Sequence, residues 1–204
     1  MSKKKNVIIL VLLFVLLIGG ASVLYAQLSK EDAPDGLLIQ GEQNKNENES
    51  QNESQSDSSG TGDTERQLTK APDFTVYDAS GNKVNLSDYI GKPIVLNFWA
   101  SWCGPCQSEM PDFHEKYLEL GNEIHFLMVN MTAGRETLDS AKAFVSEKGY
   151  TFPVFYDTDS DAAMTYSVYS LPTTYFIDEE GYLVAQATGA ISADTLQHGI
   201  DMIK

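Results

Sequence analysis

The chain holds two cysteines, Cys103 and Cys106, set in Trp102-Cys103-Gly104-Pro105-Cys106. Thiols at that spacing are suited to thiol–disulfide exchange. One sulfur, exposed and partly ionised, attacks a disulfide, and the second resolves the mixed disulfide that results. With no third cysteine in the chain, the pair must act on something outside it. An inert staple is a poor alternative, because a bridge closing so short a loop removes little unfolded-chain entropy. A zinc site would need two further ligands that one cysteine pair does not supply.

The elements around the pair are legible. Ile94 to Trp99 is an apolar run that reads as a buried strand, and the cysteines open the next helix, Cys103 to Leu120. Pro105 falls in its first turn, where a missing N–H is harmless; Pro111 falls in its interior, where a kink is expected. Phe74–Tyr77 and Val84–Leu86 flank Asp78-Ala79-Ser80-Gly81-Asn82 as a hairpin, and Ser87 begins a brief helical turn. Further on come a strand (124–129), a helix (137–148) stopped by Gly149, a short strand (152–156) and a short helix (161–169). A hairpin (174–177 and 182–187) and a helix capped by Ser192 close the chain. This order implies an α/β fold, a central mixed β-sheet flanked by helices with an N-terminal β-hairpin extension.

The run Asn97-Phe98-Trp99-Ala100-Ser101-Trp102-Cys103-Gly104-Pro105-Cys106, then Glu109 and Pro111, then Leu171-Pro172-Thr173-Thr174, resembles the thioredoxin superfamily. The likeness covers about Ala71 to Ile203. It is greatest to the membrane-anchored, extracytoplasmic TlpA/ResA-like branch, which Phe152-Pro153-Val154 with Asp157 also fits. The resemblance implies a thioredoxin-like fold, no cofactor, and a thiol–disulfide oxidoreductase acting through a redox-active Cys103–Cys106 disulfide. Cys103 is expected to attack, since a helix N-terminus favours the thiolate, and Cys106 to resolve. In thioredoxins proper a buried aspartate assists the inner cysteine; here that position is Asn97, which cannot titrate. The branch instead carries a glutamate on the active-site helix, so Glu109 is the expected proton acceptor for Cys106. Pro172 is expected to be cis, with Leu171 and Thr173 beside it and Trp102, Gly104 and Pro105 across from it contacting substrate. His114, His125 and His198 are scattered, and no metal site is read from them.

The amino terminus and composition bound the setting. Lys3, Lys4 and Lys5 precede Val7 to Ala26, twenty residues without a charge. At ~1.5 Å per residue such a helix spans about 30 Å, a hydrocarbon core's thickness. Residues 1–26 thus read as a single-pass membrane anchor placing the rest outside the cytoplasm; a signal peptide cleaved near Gly19-Gly20-Ala21 is the competing reading. Residues 27–68 read as a low-complexity flexible linker, although Leu37-Leu38-Ile39 is an apolar patch within it that receives no assignment. Residues 69–204 form the domain. Of the net charge of -15, Glu31 to Arg66 holds ten acids and two bases, and Thr69 onward nineteen acids and eight bases. So acidic a domain argues against nucleic acid. The expected partners are extracytoplasmic protein disulfides and, from the resemblance, a membrane thiol-relay protein of the CcdA/DsbD kind. Reduction in cytochrome c maturation or oxidative-damage repair is the first reading. A disulfide-forming oxidase is the alternative, and a metallochaperone is disfavoured by the cysteine spacing.

Overall fold

The computed structural model describes residues 37–39 and 68–204, so the expected anchor and most of the expected linker lie outside the described residues. Among the described residues no helix is long and apolar enough to cross a membrane.

The strands are β1 (Leu37–Ile39), β2 (Thr69–Lys70), β3 (Thr75–Tyr77), β4 (Lys83–Asn85) and β5 (Ile94–Trp99), then β6 (His125–Asn130), β7 (Val154–Tyr156), β8 (Thr173–Ile177) and β9 (Tyr182–Thr188). The α-helices are α1 (Gly104–Leu120), α2 (Leu138–Lys148), α3 (Asp161–Thr165) and α4 (Ala193–Asp201). One sheet runs in the order β1-β9-β8-β5-β6-β7-β3-β4, with β2 also paired to β9. The pairs β5–β6 and β6–β7 are parallel, and β5–β8 and β8–β9 antiparallel, giving the mixed sheet expected.

β5 is the axis of the molecule. All six of its residues are buried, which is why its sequence is nearly continuously apolar rather than alternating. Its side chains still divide by face. Ile94, Leu96 and Phe98 join Phe74, Leu127, Tyr166 and Ile177 in one core cluster. Val95 and Trp99 join Met110, Phe113, Phe126, Phe176 and Leu196 in the other.

The hairpin β3–β4 forms as expected, in register Thr75↔Asn85 to Tyr77↔Lys83. Asp78 shapes its turn, one carboxylate oxygen accepting from the backbone of Ser80 (2.8 Å) and Asn82 (2.9 Å). The helical turn after it, Leu86–Tyr89, is a 3₁₀ helix. α1 runs on through Pro111. α3 ends at Thr165, four residues short of the expected boundary, and Ser167 beyond it takes a left-handed φ of 49°. Asp157 holds its start, its carboxylate accepting from Ala162 N (3.2 Å) and Ala163 N (2.8 Å).

The unassigned patch of the linker has a place. Leu37–Ile39 adds a strand to the outer edge of β9, with Leu37 opposite Ala187 and Ile39 opposite Ala185. Leu37 packs against the core cluster of α1 and α4, while Leu38 is half exposed.

Candidate active site

Cys103 is the N-cap of α1 and Pro105 stands in its first turn. The two cysteines form a disulfide (S–S 2.07 Å), and Cys103 Sγ accepts a hydrogen bond from Cys106 N at 3.2 Å. That donor is one of the N–H groups a helix leaves without an internal partner. Its orientation serves a thiolate at Cys103 when the bridge is open. Cys106 is fully buried, and Cys103 is nearly so.

A groove of about 600 Å³ opens at Cys103. Its walls are three segments: Trp102 to Pro105, the loop after β5 and the first residues of α1; Met131 to Arg135 after β6; and Val168 to Leu171 before β8. Because β5 and β6 run parallel, their carboxyl ends meet there, as in open α/β sheets generally. Trp102 is 45 % exposed and Tyr169 is 94 % exposed, an unusual outlay of aromatic surface at one rim. The Leu171–Pro172 bond is cis, as expected. Leu171 lines the groove. Pro172, expected to contact substrate, is buried and does not line the groove; its carbonyl accepts from Gly189 N. Thr173 is buried and its hydroxyl donates back to the Ser170 carbonyl at 2.8 Å, so its side chain ties down its own loop and does not face the groove.

Glu109 lies behind the disulfide, one turn after Cys106 on α1 and only 2 % exposed. Its two oxygens are held from separate elements: Oε1 accepts from Asn97 Nδ2 on β5 (2.9 Å), and Oε2 from Ile191 N (3.0 Å). Burial dominates its acidity. It pushes the carboxyl up to about 7, against the lowering effect of the Ile191 and Asn97 donors. Asn97 thus does more than stand where thioredoxins carry an acid. Its amide also donates to Thr174 Oγ1 (3.0 Å), so it fixes Glu109 to β8 as well.

One residue of the site has no local signal in the sequence. Glu136, buried at 3 %, accepts hydrogen bonds from Ser101 N, Ser101 Oγ (2.9 Å), Asn130 Nδ2 (3.4 Å), Thr137 N (3.3 Å) and Ser140 Oγ. Burial pushes its carboxyl up, but the Ser140, Ser101 and Asn130 donors outweigh this and hold it below the ordinary carboxylate value. It therefore clamps the loop after β6 to the loop that carries the cysteines. Its main partner, Ser101, is 35 residues away in sequence, a separation no local pattern reports. Among the described residues no group of three or more His, Cys, Asp or Glu side chains is arranged to hold a metal.

Residues 68–186 match the AhpC/TSA family. The chain is 35 % identical over 133 residues to the thioredoxin-like protein YneN of Bacillus subtilis, covering 65 % of this chain and 78 % of that one. It is 40 % identical over 131 residues to the thiol-disulfide oxidoreductase ResA of Bacillus thuringiensis, covering 63 % and 73 %. Among solved structures, the exposed lipoprotein thioredoxin of Streptococcus pneumoniae aligns at a TM-score of 0.54 with 36 % identity, over 64 % of this chain and 99 % of that one. A DsbF homologue from Corynebacterium diphtheriae aligns at 0.60 with 28 % identity, over 67 % and 88 %. With this fold, this disulfide and these relatives, the chain belongs to the AhpC/TSA family, as a thioredoxin-like thiol–disulfide oxidoreductase.

Proposed function

We propose that the enzyme reduces protein disulfides on the extracytoplasmic side of the cell membrane, tethered there by residues 7–26. The observation that carries this reading is the arrangement of three groups on α1. Cys103 caps the helix at the mouth of the groove, Cys106 is sealed beneath it, and Glu109 stands buried behind.

In the reduced enzyme the Cys103 thiolate attacks one sulfur of a substrate disulfide. The substrate S–S bond breaks, and the departing sulfur leaves as a thiolate that takes up a proton. Cys106 then loses its proton to Glu109, directly or through water, and attacks Cys103 Sγ. The mixed disulfide breaks and the second substrate sulfur leaves as a thiolate, which takes up a proton from solvent, to which Glu109 returns the one it accepted. The substrate gains two electrons and two protons, and the Cys103–Cys106 bridge forms. A carboxyl whose acidity lies near neutrality is suited to that transfer. Trp102, Gly104, Pro105 and Leu171 form the walls against which an extended substrate segment lies. The backbone N–H and C=O of Leu171 make no hydrogen bond among the described residues, which supports strand-like pairing with such a segment.

The likeness to an exposed lipoprotein thioredoxin supports the extracytoplasmic setting. The resemblance to the TlpA/ResA-like branch supports electron supply by a CcdA/DsbD-like membrane relay and clients in cytochrome c maturation or oxidative repair. The direction is tested by equilibrating the full-length chain with glutathione redox buffers and scoring the Cys103–Cys106 bridge. A reductase is expected near the thioredoxin value, about −270 mV, whereas a value near about −120 mV would make it an oxidase.

A further inference from the structure

Glu136 is turned inward by five hydrogen bonds, and its neighbour Arg135 is turned outward. Gly134, just before, takes a left-handed φ of 64°, which glycine adopts without the cost a Cβ would impose. The loop so fixed lays the Arg135 guanidinium on the Trp102 indole, Cζ 3.8 Å from the ring centroid. Both residues line the groove at Cys103, and Arg135 is the one charged side chain among the described residues that do.

Beyond the Trp102 ring, its charge meets no carboxylate among the described residues. Arg135 is the single arginine from Thr69 to Lys204, a stretch with nineteen acids. Among the described residues the ion pairs are Lys116–Glu119 and Lys204–Glu123, and no carboxylate pairs with Arg135. The nearest acid in sequence, Glu136, is occupied on the far side. A guanidinium stacked on an indole has given up much of its side-chain freedom already, while its N–H donors stay available in the plane. The rest of the domain is acidic and repels acidic partners, so any attraction this cation exerts is local to the reacting sulfur.

The geometry points to Arg135 as a specificity determinant that selects protein disulfides carrying a carboxylate side chain beside the attacked cysteine. This rests on the groove being where the substrate lies. Arg135 orients and discriminates; it takes no proton or electron.

The test uses the reduced full-length chain and single-cystine peptides that differ only in Asp, Asn or Lys beside the attacked cysteine. Second-order rate constants are read in single turnover from tryptophan fluorescence. At low ionic strength the Asp peptide is expected to react about threefold to fivefold faster than the Asn peptide, the scale of a partly exposed ion pair, and the Lys peptide slower than both. The preference should shrink at high salt. Arg135→Gln should bring the Asp/Asn ratio to one or slightly below it, Arg135→Glu should invert it further, and Arg135→Lys should keep part of the preference. A ratio of one in the parent enzyme, or a preference that survives Arg135→Gln, overturns the inference. So does a rate loss in Arg135→Gln that is equal for all three peptides, since the charge would then be acting on Cys103 itself. Equal reduction of every peptide by the parent removes the specificity and leaves the reductase reading standing. No reduction of any peptide removes both.

Discussion

Glu109, the proposed proton acceptor for Cys106, stands in an environment that makes a quantitative demand. Burial has lifted its carboxyl from the ordinary range to about 7. A carboxyl raised in the folded state favours folding while it is protonated. Its contribution is fully present below the unfolded value, near 4.5, and is lost as pH rises through about 7. Stability of the oxidised enzyme should therefore fall by about 3 kcal/mol between pH 4.5 and 8 on account of this group. Glu109→Gln should flatten that part of the pH profile and, in the reduced enzyme, shift the titration of the Cys106 thiol. Denaturant unfolding across pH checks the first, and alkylation rates of Cys106 check the second. An unchanged thiol titration would remove Glu109 from the proton path. The sequence points to Glu109 through its resemblance to a branch that carries a glutamate on the active-site helix, here one turn after Cys106. It does not announce that the Asn97 amide and the Ile191 N–H secure it, since those contacts span 12 and 82 residues.

At the scale of elements, α4 lies against the sheet at Gly199. A Cβ built there would stand 2.2 Å from Cζ and 2.3 Å from Cε1 of Phe176, a ring on β8 with no exposed surface. Such overpacking costs about 3 kcal/mol, against a gain of about 1 kcal/mol from alanine's better helix propensity. Gly199→Ala should thus lose about 2 kcal/mol, read as a lower urea midpoint with an unchanged slope. An unmoved midpoint would mean that α4 is free to shift away from β8. Most elements were legible, because β5, α1 and the β8–β9 hairpin carry strong local patterns and caps. The boundary of α3 was not. Its apolar residues continue to Tyr169, but Ser167 in the left-handed region breaks the chain direction and sends Tyr169 out to the groove rim. β1 was not legible either: three apolar residues in a polar stretch gain meaning only from the edge of β9, some 150 residues on, which they cover.

For the whole molecule, the sheet gathers three segments at one end and turns the two sulfurs to unequal surroundings. One opens on a groove rimmed by exposed aromatics, and the other is sealed against the core of α1 and α4. That inequality is what an attacking and a resolving thiol require. The Glu136 clamp and the Arg135–Trp102 stack were out of reach of the sequence because they depend on where the loop after β6 lands. The most direct measurement is trapping by the purified full-length Cys106→Ser variant, offered a protein disulfide in excess and read by mass spectrometry of non-reduced peptides. The expected result is a stable mixed disulfide on Cys103, with no comparable adduct on Cys106 when Cys103→Ser is tested the same way. Adducts on Cys106 in equal yield, or none on Cys103, would contradict the assignment of attack and release to these two sulfurs.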